Sequence, residues 1–199
     1  SGDVKLVAMA DAFKDRMDGS QKGLERKHGI KAQVKEENKF VGFDAYKNAI
    51  EMADVAILAT PPGFRPIHFA EAIKQGKHVF MEKPVAVDGQ GVRQVLAAAQ
   101  EAKKKNLKVG VGLMCRHSKA RRELFSRIKD GELGDILALR AYRMQGPIAS
   151  CFSGKKPADE QELMFQIRRF HSFLWLSGGS FSDFFIHNID ECCWMKDAW

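Results

Sequence analysis

Cysteine is scarce in this 199-residue sequence: only Cys115, Cys151, Cys192 and Cys193 occur. None stands in a C-x-x-C pair and two are adjacent, which argues against a zinc module or a disulfide framework. The thiols are expected to be buried or incidental, in a reducing, cytoplasmic setting. The six histidines are scattered singly, with no H-E-x-x-H or comparable ligand spacing, so no metal is expected. Long apolar runs are also lacking. Stretches such as Val55 to Ala59 fall far short of the roughly 20 residues that a bilayer-spanning helix needs, and no membrane partner is expected. The opening Ser1-Gly2-Asp3 has no initiator Met, basic n-region or apolar h-region. An exported parent stays open, because a targeting segment would lie upstream of Ser1. Internal repeats and low-complexity linkers are absent.

What is present is ordinary globular composition, 45% hydrophobic and 29% charged, at a length of one to one and a half domains. Lys and Arg total 32 against 25 Asp and Glu, a net charge of +7. Lys103-Lys104-Lys105 closes a run, 90–106, that reads as an amphipathic helix, and lysines in a last turn complement the helix dipole. No aromatic residues interleave with them. The pairs Arg121-Arg122 and Arg168-Arg169 read as solvated, and no nucleic-acid partner is expected.

The pattern along the chain alternates between strand and helix. A strand over 4–10 ends in Asp11, and a helix over 12–28 is closed by Gly29. Asp44 is placed to cap a short helix reaching Met52. The run 54–60 is nearly continuous in apolar residues, as in a strand buried on both faces of a parallel sheet. Pro61-Pro62-Gly63 breaks it. A helix over 65–75 stops at Gly76, a strand covers 77–82, Asp88 opens a further helix, and 107–113 is a strand. This is the signature of an α/β, Rossmann-type doubly wound parallel sheet, whose ligands bind at the carboxyl ends of the strands. Residues 1–113 are expected to form that domain. Residues 114–199 are expected to begin an α+β substrate domain: helix 118–129, turn 131–134, strand 135–144, loop 146–159, an aromatic-rich burying segment from Glu160, a break at Gly178-Gly179, and a final helix over 182–195.

Four groups could carry chemistry. Asp11 ends a strand, where an acidic residue can accept hydrogen bonds from a ribose. Only ten residues precede it, so a G-x-G-x-x-G loop cannot fit upstream. A G-x-G pair, Gly110/Gly112, lies far downstream, inside a strand. Thr60-Pro61-Pro62 forms a rigid strand end on which a flat ligand could rest, or a simple terminator. Glu82-Lys83-Pro84 places a carboxylate and an ammonium at a strand end, where a cation stabilises developing negative charge. Pro84 restricts Lys83 and is compatible with a cis bond. Asp183 and His187 share one face of the last helix, and a histidine suits proton transfer. The plain alternative is an i,i+4 pair worth about 0.2–0.5 kcal/mol.

Read together, 40–46, 59–68 and 76–86, with the tripeptide Glu82-Lys83-Pro84, resemble the Gfo/Idh/MocA family of NAD(P)-dependent oxidoreductases. The likeness continues through 111–117, 131–135, 175–179 and 182–190. The resemblance implies a catalytic role for Lys83, Asp183 and His187, with His187 transferring the proton, and places Glu82 beside the nicotinamide ribose. It implies that Thr60, Pro61, Pro62 and His68 lie along the dinucleotide and that Asp11 binds its ribose. An acidic residue there favours NAD, while Lys14 and Arg16 keep NADP open. Arg116 matches a cofactor-side or substrate-side arginine. The implied activity is hydride transfer between a nicotinamide cofactor and a sugar, cyclitol or related polyol, in a homo-oligomeric parent. An NAD-dependent glycosidase and a non-catalytic binding protein of the same fold are the alternatives. The family's glycine-rich phosphate loop and most of its C-terminal sheet have no counterpart here, so a partial chain is expected.

Overall fold

The computed structural model describes residues 4–152 and 154–198; the outermost ends of the two expected domains, 1–3 and 199, lie outside the described residues. The elements run in chain order as β1 (Met9–Asp11), α1 (Lys14–His28), β2 (Lys39–Val41), α2 (Ala45–Glu51), β3 (Val55–Leu58), α3 (Arg65–Lys74), β4 (His78–Met81), α4 (Gly89–Lys104), β5 (Val109–Val111), α5 (Met114–His117), α6 (Lys119–Lys129), α7 (Glu162–Arg168), α8 (Leu174–Ser177) and α9 (Ile186–Lys196). The chain divides into two compact units.

The first unit runs to Thr60 and includes Arg65–Met81 and Gln94–Gly110. Its strands are parallel, as the βαβ alternation requires, and they fall into two sheets. One is β1-β2, with Asp11 opposite Val41; the other has the order β3-β4-β5, with Val55 opposite His78 and Leu58 opposite Met81. Phe69, Ala72 and Ile73 of α3 are almost wholly buried, together with Ala56 and Leu58 of β3 and Val79 of β4. Helix ends follow local chemistry. Gly76 adopts a φ of +73°, which lets the Lys77 N–H turn back to the Ala72 carbonyl and close α3.

Three expectations in the first unit need correction. The strand expected over 4–10 forms only at Met9–Asp11. The β3 strand is not buried on both faces, because Val55 is 52% and Ile57 71% exposed while Ala56 and Leu58 are covered. A continuous apolar run is compatible with one-face burial, since alternate side chains point to opposite faces. Asp44 occupies the N-cap of α2, but its carboxylate makes no cap bond and pairs with Lys47 Nζ at 2.7 Å.

The second unit comprises Pro61–Phe64, Glu82–Arg93 and the chain from Val111 onward. Ser118 caps α6 by accepting the Arg121 N–H, and 131–134 turns as expected. The strand expected over 135–144 does not form; among the described residues no strand follows β5. Leu137 and Met144 are more than 90% exposed, and no neighbouring strand pairs with their backbone. The aromatic-rich segment does bury surface, through Phe165 and Leu176, whereas Trp175 stays 46% exposed. Gly178 and Gly179 have φ of +73° and +76°, left-handed values that end α8. The final helix differs from expectation in its first turn: Phe181–Phe185 is π-helical, and α9 follows from Ile186.

Gly63 has a packing role that a chain-breaking signature does not reveal. A Cβ there would lie 2.7 Å from the Trp175 carbonyl oxygen and 3.2 Å from Leu176 Cα, so backbone would have to move. Gly63→Ala is therefore expected to lower stability to urea by about 1–3 kcal/mol. Gly19→Ala, in an exposed position of α1 with nothing within 4 Å, should instead raise it. Equal effects of the two would refute the packing role.

Candidate functional site

In the second unit the chain leaves Met81 and passes through Glu82-Lys83-Pro84, with a cis bond before the buried Pro84. The Lys83 ammonium lies 3.0 Å from Asp183 Oδ1 and also donates to the Asp183 main-chain oxygen. Both side chains are withdrawn from solvent, at 17% and 7% exposure. The ammonium lies 5.5 Å from the centre of the Phe184 ring, and the Arg143 guanidinium 5.9 Å from it. Contacts of that kind help a desolvated cation.

His187 follows one turn after Asp183 and is 8% exposed. Among the described residues its Nδ1 has no hydrogen-bond partner, so the i,i+4 hydrogen bond that the helix spacing suggested is not made. Burial holds the His187 pKa below its ordinary value, and the charges of Lys83 and Arg143 push the same way; Asp190 and Asp183 oppose them. The result is a neutral imidazole with an unsatisfied buried nitrogen, suited to accepting a proton.

Glu82 explains a glycine that no phosphate loop required. A Cβ on Gly112 would meet the Glu82 carboxylate at 2.5–2.7 Å, and one on Gly110 would lie 3.2 Å from the Phe80 ring. The pair Gly110/Gly112 therefore makes room for side chains.

Arg116, on α5, presents Nε and Nη2 to the buried carboxylate of Asp190 at 2.9 Å each, with its guanidinium 5.0 Å from the Trp194 ring centre. A fork-to-carboxylate pair of this kind is strong and geometrically specific. It ties α5 to α9, the helix that carries His187.

In the first unit, Thr60 and His68 hold one another: Thr60 Oγ1 and His68 Nδ1 are 3.0 Å apart. The Thr60 carbonyl accepts from Arg65 Nη2, and Arg65 is almost fully buried. His68 also stacks on Tyr46, with ring centres 4.2 Å apart. Asp11 ends β1 and accepts the Phe13 N–H at 2.9 Å, while Lys14 is paired with Asp18 and Glu36. In the second unit, Pro62 is buried in a tight turn, with the Phe64 N–H on the Pro61 carbonyl.

Sequence reasoning missed Arg65, Tyr46, Ser150 and His171. His171 is a single histidine in a stretch read as bulk apolar surface. Its Nε2 lies 3.6 Å from Asp183 Oδ2, and its Nδ1 3.1 Å from Ser150 Oγ. No spacing rule marks such a residue; proximity to Asp183 arises only on folding.

Residues 13–112 match the family described as oxidoreductases with an NAD-binding Rossmann fold. An inositol 2-dehydrogenase of Azotobacter vinelandii is 33% identical over 120 residues, covering 57% of this chain and 34% of the relative. The scyllo-inositol 2-dehydrogenase (NAD(+)) of Bacillus subtilis is 26% identical over 197 residues, covering 98% of this chain and 47% of the relative. Among solved structures, scyllo-inositol dehydrogenase of Lactobacillus casei with bound cofactor NAD(H) and scyllo-inositol is 26% identical. It superposes with a TM-score of 0.66 over 97% of this chain and 48% of that one. The chain thus spans about half the length of these relatives, or less.

Burial, and then the Arg65 charge, push His68 down to about 4 from 6.5. Between those values the unfolded chain binds a proton that the folded chain does not. Stability is therefore complete above about pH 6.5 and declines as pH falls toward 4, by ~3 kcal/mol in total. Urea denaturation at pH 7.5 and 4.5 should show this loss, and His68→Gln should flatten the slope. An unchanged slope in that variant would assign the acid sensitivity to other groups.

Proposed function

This chain belongs to the Gfo/Idh/MocA family of oxidoreductases with an NAD-binding Rossmann fold, and on that premise we propose that its parent is an NAD-dependent dehydrogenase of a cyclitol, an inositol or a close polyol. One observation carries the reading: the buried Lys83–Asp183 pair lies one helical turn from a neutral His187 whose Nδ1 lacks a partner among the described residues. A hydroxyl is the natural guest for a lone imidazole nitrogen beside an ammonium.

The residues divide the work. His187 accepts the hydroxyl proton. Lys83 has three donors, two of which go to Asp183, and it offers its charge to the alkoxide that forms. Asp183 holds that ammonium in place and balances its charge. When bound, a nicotinamide supplies the hydride acceptor. Asp11 and Glu82 are strand-end carboxylates, acceptors of the kind that ribose hydroxyls need, and a carboxylate at Asp11 repels a 2′-phosphate, which supports NAD over NADP. The relatives compared above are dehydrogenases, and no feature of the site favours a glycosidase.

In the full-length protein, Lys83→Met is expected to lower inositol oxidation by orders of magnitude while NAD binding persists. Near-normal turnover would sink the assignment. Because the His187 pKa is held down, the acidic limb of kcat/KM should lie below pH 6.5; a limb above 6.5 would remove His187 as the base.

A further inference from the structure

We propose that His171 is a positioning residue for the Lys83–Asp183 pair, holding the second carboxylate oxygen of Asp183 while Ser150 anchors its other ring nitrogen. The inference rests on the dehydrogenase reading of that pair. Asp183 offers Oδ1 to Lys83 at 3.0 Å, and its Oδ2 is buried. The only ring nitrogen recorded against Oδ2 among the described residues is His171 Nε2, at 3.6 Å. That separation is too long for a made hydrogen bond, and contacts of this kind tighten when substrate binds.

The rest of the His171 environment is built. Ser150 is buried, and its Oγ sits 3.1 Å from His171 Nδ1. Ser172 Oγ donates to the Ser150 carbonyl and anchors that loop residue. The imidazole packs against Phe170 at 3.8 Å and lies parallel to Phe184 at 6.0 Å between ring centres. Phe184 is the ring beneath Lys83. A carboxylate can only accept, so Nε2 must carry the proton to serve Asp183. Nδ1 is then an acceptor, and the Ser150 hydroxyl donates to it. Ser150, His171, Asp183 and Lys83 form one polar chain in which each group fixes the next. Once the Nε2–H closes onto Oδ2, the carboxylate is gripped on both oxygens, and the rotation that would withdraw Oδ1 from Lys83 is blocked.

The test uses full-length protein. The 15N spectrum of His171 should show the Nε2–H tautomer; an Nδ1–H tautomer overturns the proposal. His171→Leu should lower kcat for inositol about 10–100-fold, the loss usual when an orienting outer partner is removed, with KM for NAD unchanged. His171→Gln, whose amide can still donate to Asp183, should recover most of kcat. Full kcat in the Leu variant, or equal losses in both variants matched by equal falls in Tm, would also overturn it. If the wild-type protein oxidises no polyol, the dehydrogenase reading fails, and the tautomer still decides whether His171 serves Asp183.

Discussion

The contact between Lys83 and Asp183 closes a loop of one hundred residues and sets what the rest of the second unit must do. Each charge is largely removed from water, and each would be costly alone; breaking such a pair by removing one partner costs about 3–5 kcal/mol. The surroundings meet that constraint piece by piece. The Asp183 carbonyl takes a second donor from the ammonium, the Phe184 ring offers its face, and His171 stands at the other carboxylate oxygen. Burial in the same surroundings, helped by the Lys83 charge, holds His187 neutral, so an arrangement that stabilises the fold also sets a protonation state.

The first unit solves a different problem with similar means. Thr60 lies two residues beyond β3, and both its carbonyl and its hydroxyl need partners there. Arg65 and His68, one turn apart on α3, turn back to satisfy its carbonyl and its hydroxyl. Burial of the imidazole, and then the guanidinium beside it, lower its proton affinity. The polar residues at this strand end are therefore held by one another before any ligand is considered.

Much of this was legible in the chain. Gly29, Gly76 and Asp88 mark helix ends by local chemistry, and alternating strand and helix signals suffice for a parallel α/β fold. Lys83, Asp183 and His187 could be picked out because a motif and a helical spacing bring them forward, and the structure does bring Lys83 to Asp183. What was illegible depended on partners distant in sequence. The stretch 135–144 has strand composition, yet strand formation needs a neighbour to receive its hydrogen bonds. Ile57 has the same apolar character as Leu58, and only packing decides which is covered. Nothing near Arg116 in the chain announces that Asp190, seventy-four residues later, takes its fork. His171 gave no signal because a lone histidine among phenylalanines has none.

The π-helical turn at Phe181–Phe185 gives the second unit an unusual sensitivity to length. A wider turn holds one residue more than an α-helical turn needs, and it lies between the Gly-Gly break and His187. Removing a single residue from it would restore an ordinary helix with every hydrogen bond intact. Taken out after Asp183, it would leave α9 in phase with the chain before the turn, because a π turn rotates about as far as an α turn with one residue fewer, but it would change the Asp183–His187 spacing from i,i+4 to i,i+3. The chain could lose its chemistry to an indel while keeping its helix content, so circular dichroism would not register the change.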